Sequence, residues 1–227
     1  MTKNTDLLYI AGHNNFFDKI IRNKRMEIVN VINNIINNYE INDALDIGTT
    51  EDDKNESSNI IVKNLENVQT FKSISDQKIS LNFFSKVLQK SIIDELNDND
   101  LKNFKSDLVI SSAVIEHVGN ASNQMKMIEN IQKLSKKLFI ITTPNRGYPL
   151  DFHTKLPLFH WFPKHIHRKI LKFFGMDFFS KEENLNLLSK KNIQEYLNIL
   201  DIKYEIINIK LLGITSNFII VGRIKDN

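Results

Sequence analysis

A chain of 227 residues, 41% apolar and 25% charged, is long enough for one ordinary domain with its own core and too apolar to stay disordered. A net charge of +3 is too small to mark a binder of nucleic acid or acidic lipid by charge alone. The absence of cysteine excludes a disulfide framework and a thiolate zinc site.

No basic-then-apolar leader opens the chain, and no apolar run nears the roughly 20 residues that cross a bilayer, so a cytoplasmic protein without a transmembrane segment is expected. From about Asn15 to Tyr39, apolar residues recur at Phe17, Ile20, Ile21, Ile28, Val31, Ile32, Ile35 and Ile36, the spacing of an amphipathic helix laid on a sheet. Ala44 to Ile47 is a short apolar strand halted by Gly48. The polar run from Thr49 to Ser58 reads as a loop, with Ser57 or Ser58 as N-cap of a helix through Leu65. Val68 to Ile74 predicts a second strand ending near Ser75 and Asp76, and Asn82 to Leu88 a weaker third. Asn97-Asp-Asn-Asp100 has the composition of a turn. Asp107 to Ser112 and Leu138 to Thr143 are unbroken apolar runs, as buried parallel strands are, joined by a helical stretch from about Asn120 to Lys137. Beyond Pro144 the alternation stops for an insertion-like segment. A helix near Lys190 to Leu200 and strands at about Lys203 to Leu211 and Ser216 to Arg223 follow, which predicts a mostly parallel α/β sheet.

In such sheets ligand chemistry gathers just past the carboxyl ends of the strands. Asp46 and Gly48 stand past the first, where a carboxylate and a close backbone approach begin a nucleotide-type pocket or, equally, an ordinary strand-to-helix turn. Thr50 and Asp52 occupy places where further glycines would cradle a pyrophosphate. Glu51, Asp52, Asp53 and Glu56 would repel phosphate, so the loop favours a ligand without phosphate and with positive charge. Asp76, past the second strand, is placed to grip ribose hydroxyls or is a surface turn residue. Ser111, Ser112, Glu116 and His117 follow the fourth strand, and Thr142, Thr143, Asn145 and Arg146 the fifth. His117 is a candidate proton acceptor, with Glu116 orienting it or binding an ammonium group; helix-start packing is the alternative. No His-x-x-x-His with a carboxylate at helical spacing occurs, so no metal is expected.

The segment Asp151 to Arg168 holds four of the six histidines, the only tryptophan and two of the four prolines. It follows the fifth strand directly and reads as a lid or acceptor platform, with His153 nearest the strand end. From Lys164 to Phe174, bases alternate with Ile166, Ile170, Leu171, Phe173 and Phe174. That pattern suits a membrane surface or lipid-linked substrate, or a helix packed on the domain with its basic stems snorkelling.

Leu45-Asp-Ile-Gly48, Ser112-Ala-Val-Ile-Glu-His-Val118, Ile141-Thr-Thr-Pro-Asn-Arg146, Phe152-His-Thr-Lys-Leu-Pro-Leu-Phe-His-Trp161 and Glu182-Glu-Asn-Leu-Asn-Leu-Leu-Ser189 together resemble the class I S-adenosylmethionine-dependent methyltransferases. They are most similar to a bacterial subgroup associated with surface-polysaccharide and sugar modification. The resemblance runs from about Asp43 to Arg223, behind an N-terminal helical extension (1–42) and with the insertion at about 147–188. It implies a Rossmann-like fold, a seven-stranded mostly parallel sheet with a reversed last hairpin and helices on both faces. It implies S-adenosyl-L-methionine as cofactor, with Asp46 and Gly48 at its methionine end, Asp76 at the ribose, and Ala113 and Val114 beside the sulfonium. Two positions depart from the family pattern: Thr50 replaces its second glycine, and Lys90 or Ser91 stands where an acid often lies near adenine.

The expectation is therefore methyl transfer to a hydroxyl of a small-molecule, sugar or glycoconjugate acceptor, free or lipid-linked, with His153 or His117 as proton acceptor. Peripheral contact with the inner membrane face would run through 153–174. A catalytically degenerate binding module is the alternative. An RNA methyltransferase would call for a broad basic face with aromatic stacking platforms, so no nucleic-acid partner is expected. No G-x-G-x-x-G follows any strand, which argues against a nicotinamide dehydrogenase.

Overall fold

The unbroken apolar runs become the centre of a seven-stranded sheet. The computed structural model describes residues 15–52 and 58–224, with side chains from residue 19. In chain order the elements are α1 (Asn15–Ile36), β1 (Asp43–Ile47), α2 (Ile60–Lys63), β2 (Thr70–Ser75), β3 (Lys86–Gln89), α3 (Asp98–Phe104), β4 (Ser106–Ser112), α4 (Ala121–Leu134), β5 (Ser135–Pro144), α5 (Lys164–Phe173), α6 (Lys190–Ile199), β6 (Lys203–Leu211) and β7 (Ile214–Arg223). The strand order is β3-β2-β1-β4-β5-β7-β6. The five strands from β3 to β5 are parallel, and β7 is inserted antiparallel between β5 and β6. This is the reversed terminal hairpin that the resemblance implied.

Successive strand residues point to opposite faces, and each face is covered. Ala44, Leu108, Ile110, Leu138 and Ile140 pack under α1 and α2 with Ile28, Ile32, Ile36 and Ile61. Leu45, Ile47, Val109, Phe139 and Ile141 pack on the other face with Met127, Ile131, Ile193 and Leu197 of α4 and α6. Each such side chain, fully buried, contributes roughly 1.5–3 kcal/mol. Gly222 of β7 lies opposite Phe139 of β5, and a Cβ there would run into the Phe139 ring. The glycine is thus a space requirement of the sheet centre.

Three local expectations change. Asn97-Asp-Asn-Asp100 is the start of α3: Asn97 Oδ1 accepts from Asp100 N at 2.9 Å, and Asp100 Oδ2 accepts from Asn97 N at 3.1 Å. This is a capping box, with Asp in the place usually held by Glu. The helix expected through Leu65 is a single turn entered through Asn59 in a left-handed conformation (φ 54°). Ser57 lies outside the described residues, as do Asp53 and Glu56, and Ser58 donates to Asp52 Oδ2 at 3.1 Å instead of capping. β3 spans Lys86–Gln89, later than expected, and three of its four residues are exposed.

Between β5 and α6 the chain builds a small core of its own from Leu171, Phe179, Leu185 and Leu187. Its two ends are tied to each other and to the turn after β4. Arg146 N donates to Leu188 O at 3.0 Å, and Asn186 N to Glu116 O at 2.7 Å. Among the described residues no helix is long and apolar enough to cross a membrane.

Candidate functional site

β1 ends in Asp46, 7% exposed, whose Oδ2 accepts from Thr49 Oγ1 at 2.6 Å. Thr49 in turn accepts from Ser73 Oγ at 2.7 Å, and its carbonyl accepts from Ser75 Oγ at 2.7 Å, so hydroxyls from β2 brace the loop. Burial pushes the Asp46 carboxyl up to about 6, against the Thr49 hydrogen bond. Gly48 turns the chain at φ 84°, and a Cβ there would collide with Val114 Cγ2. The Gly48–Val114 contact thereby joins the tip of β1 to the turn after β4. Ala113 enters that turn at φ 55° and donates to Thr142 O at 2.9 Å. A non-glycine residue in this conformation carries roughly 1–2 kcal/mol of strain, a cost that clusters at functional sites.

The two departures from the family pattern have local explanations. Thr50 N donates to Asn59 Oδ1 at 3.1 Å and Thr50 O accepts from Asn59 Nδ2 at 2.8 Å. The side-chain amide of Asn59 thus holds the loop where a second glycine would bend it. Lys90 pairs with Asp100 at 2.7 Å, so the ammonium is neutralised by the same carboxylate that caps α3. Asp76 stands exposed just past β2, next to Ser75, whose hydroxyl belongs to the buried network at Asp46.

The expected acid–base residues converge. Ile115–His117 form a 3-10 turn, in which His117 N donates to Val114 O at 2.8 Å. His117 Nε2 faces His153 Nε2 at 3.1 Å, across 36 residues of chain. His117 Nδ1 donates to Asn184 O at 2.6 Å, since a carbonyl only accepts. His153 Nδ1 donates to Asp151 Oδ1 at 3.2 Å, and Asp151 Oδ2 is held by Thr154 Oγ1 at 2.7 Å. Glu116 is 0% exposed; its Oε2 accepts from Thr143 Oγ1 at 2.9 Å, and its Oε1 lies 3.7 Å from His153 Nε2.

Charge divides unevenly here. Burial, and then the neighbouring His153, push His117 down to about 3. Burial also disfavours charge on His153, but the hydrogen bond and field of Asp151, with the field of Glu116, outweigh it and leave this pKa raised. Asp151 is held at about 2, because His153 outweighs its own desolvation. Desolvation raises Glu116. An added proton is therefore held more readily by His153 than by His117.

Asp151, Asn184, Arg25 and Asn59 were not singled out from sequence. Asp151-x-His153 could have been read as an orienting carboxylate beside its histidine. The positive charge of Arg25 on α1 acts on both Glu116 and His153, and nothing in the helical periodicity reveals that. Of the other insertion histidines, His160 is buried with Nε2 on Tyr148 O at 2.7 Å, and His165 is exposed. The metal-free expectation rested on helical spacing, whereas Glu116, His117 and His153 each place one donor atom within 4.8 Å of the other two.

No family model matches the chain, and no curated protein matches it in sequence. Solved structures do match. A magnesium protoporphyrin IX methyltransferase from Synechocystis with bound S-adenosylmethionine is 11% identical, with TM-score 0.54 over 95% of this chain and 88% of that one. The N-methyltransferase NodS from Bradyrhizobium japonicum, in complex with S-adenosylhomocysteine, is 10% identical, with TM-score 0.52 over 97% and 98%. A small RNA methyltransferase is 14% identical, with TM-score 0.58 over 89% of this chain but 25% of that protein. The chain has the class I methyltransferase fold.

Proposed function

We propose that the protein transfers a methyl group from S-adenosylmethionine to a hydroxyl of a sugar or glycoconjugate. The observation that carries this reading is the single turn joining both halves of the chemistry: Val114 packs on Gly48, and three residues later His117 meets His153. The residues present suit the donor. A buried carboxylate at Asp46, an acidic loop and a backbone approach that excludes a Cβ favour a cationic ligand at the end of β1. Asp46 would hold the ammonium of the methionine end, Asp76 the ribose hydroxyls, and Ala113 and Val114 the neighbourhood of the sulfonium.

When bound, the sulfonium supplies an electrophilic methyl group, so the protein has to align an acceptor oxygen with it and take up a proton. His117, neutral above about pH 3 and with its Nδ1 proton committed to Asn184, offers Nε2 as the acceptor. His153, oriented by Asp151, accepts the shared charge. Arg146, Lys164 and Arg168 border a small depression on the insertion, which suits surface contact with a phosphate or carboxylate of the acceptor. Leu158, Trp161, Phe162, Ile166, Phe173 and Phe174 are exposed on the same insertion, which suits presentation of a lipid-linked acceptor at an anionic bilayer.

Calorimetry with S-adenosylmethionine and S-adenosylhomocysteine tests the donor. Binding that weakens at least tenfold in Asp46→Asn supports the reading, and absence of binding at millimolar ligand overturns it. Incubation of a glycan extract with isotope-labelled donor tests the acceptor: label on a sugar oxygen supports it, and label confined to protein or RNA redirects it. The degenerate-module alternative draws on the Asn59 clasp, which occupies the Thr50 amide. Donor binding without any label transfer would favour that alternative.

A further inference from the structure

We propose that Glu116, His117 and His153 form a binding site for one first-row divalent transition-metal cation. Three features of the geometry lead there, and the first is the facing of the two imidazoles. Both Nδ1 atoms donate outward, one to the Asn184 carbonyl and one to the Asp151 carboxylate. In the neutral rings the protons are therefore on Nδ1, and the two Nε2 lone pairs point at each other across 3.1 Å. Such a contact is repulsive until an electrophile, a proton or a metal ion, enters between them.

The second feature is Glu116 Oε1. It belongs to a wholly buried side chain and has no hydrogen-bond partner, although Oε2 of the same carboxylate is bonded to Thr143. A buried carboxylate oxygen left without a donor is costly. This one lies 3.7 Å from His153 Nε2, on the side where a third ligand would be needed. With bonds of about 2.1 Å, neighbouring ligands on one metal stand about 3.0 Å apart at right angles and about 3.4 Å apart in a tetrahedron. The observed 3.1 Å falls within that interval and 3.7 Å lies just beyond it, and all three donor atoms lie within 4.8 Å of one another, so that side-chain adjustment would complete the site.

The third feature is the outer shell. Metal-bound histidines almost always donate their other ring N–H to a carboxylate or carbonyl, and ligating carboxylates are themselves hydrogen-bonded. Here Asp151 orients His153, the Asn184 carbonyl orients His117, and the Thr143 hydroxyl orients Glu116. Two carboxylic side chains, Glu116 and Asp151, lie within 3.7 Å and 3.2 Å of the His153 ring nitrogens. Two imidazoles and one carboxylate select zinc, manganese, iron or cobalt over magnesium and calcium, which take oxygen ligands.

The role of the cation rests on the methyl-transfer reading; its binding does not. With both Nε2 atoms engaged, the histidines would cease to be the base. The cation would polarise the acceptor hydroxyl instead: its O–H proton leaves to water, the S–CH3 bond breaks with its electrons on sulfur, and the O–CH3 bond forms.

The test uses the whole chain, stripped with a chelator and titrated with Zn2+ and Co2+ by calorimetry and by visible cobalt absorption. One equivalent bound with micromolar or tighter affinity is expected. Glu116→Gln and His153→Ala should each weaken it by about 100-fold, Asp151→Asn by about tenfold, and exposed His165→Ala should leave it unchanged. No binding by the wild type at millimolar metal overturns the proposal and assigns the pair to a shared proton. So does binding that survives in the Glu116→Gln/His153→Ala double variant. The wild-type titration decides even if a variant fails to fold. S-adenosylmethionine calorimetry on the same stripped sample reads the donor site separately, so loss of one reading leaves the other standing.

Discussion

Asp46 is the residue on which the donor reading can be measured most directly. Its carboxyl is pushed up to about 6 by burial, so below that pH it is neutral and offers no charge to an ammonium group. Donor affinity is accordingly expected to fall about tenfold for each pH unit below about 6 and to be level above it. In Asp46→Asn the affinity should be low and lose that slope. Calorimetry from pH 5 to pH 8 checks both, and a wild-type affinity independent of pH across this range would remove Asp46 from the ligand. Gly48 makes a separate demand. Gly48→Ala places a Cβ into Val114 and a side chain at φ 84°, and should cut donor affinity far more than it changes stability. Trimming Val114 in the Gly48→Ala/Val114→Ala double variant should restore part of that loss, because only the collision and not the backbone strain is relieved.

The elements divide by how local their causes are. β1, β4 and β5 are legible because burial on both faces demands unbroken apolar runs, and Ala44 to Ile47 or Leu138 to Thr143 meet that demand without reference to anything distant. β3 and α3 are less so. Edge strand β3 carries little apolar signal, and Asn97 to Asp100 has one composition that serves a turn or a capping box. At the site, adjacency made Glu116 and His117 legible as a pair. Their meeting with His153 depends on the path of the insertion, set by contacts such as Asn186 N to Glu116 O, which no spacing rule contains. The cap has a measurable share in stability. Asn97→Ala should cost about 1 kcal/mol in urea unfolding, with donor binding unaffected. The insertion should behave differently. Phe173 is 85% exposed on α5 beside Lys169 and Lys172, so Phe173→Asp should leave the melting temperature nearly unchanged. The same variant should reduce co-sedimentation with phosphatidylserine-containing vesicles several-fold. Wild-type chain that stays in the supernatant with such vesicles at low salt would refute the membrane contact.

At the scale of the whole molecule, a buried carboxylate is a source of instability when it is ionised without a cation beside it. Asp46 has a folded pKa of about 6 against an ordinary 3.8, so folding disfavours its ionised form. Below about pH 4 the carboxyl is protonated in both states and contributes nothing. As pH rises from there through about 6, the unfolded chain releases its proton first, and the fold loses stability until the carboxyl is ionised in both states. The gap corresponds to a loss of about 3 kcal/mol at most, a large part of the 5–15 kcal/mol that holds a typical domain together. His153 has its own slope, since its raised pKa gives stability that is lost as pH rises through the folded value. Only the difference between wild type and a variant isolates Asp46. Asp46→Asn keeps an oxygen to accept from Thr49 and removes the buried charge. It should therefore unfold at higher urea than wild type at pH 8 and at nearly the same urea at pH 4. Donor at a hundredfold the wild-type dissociation constant would return about 2.7 kcal/mol to the wild type and, if the variant binds tenfold more weakly, about 1.4 kcal/mol to the variant. The lead of the variant over the wild type at pH 8 should thus narrow by about 1.3 kcal/mol when donor is added. An Asp46→Asn chain less stable than wild type at pH 8 without donor would mean that the carboxylate is satisfied within the fold, and its role as a waiting counter-charge would be lost.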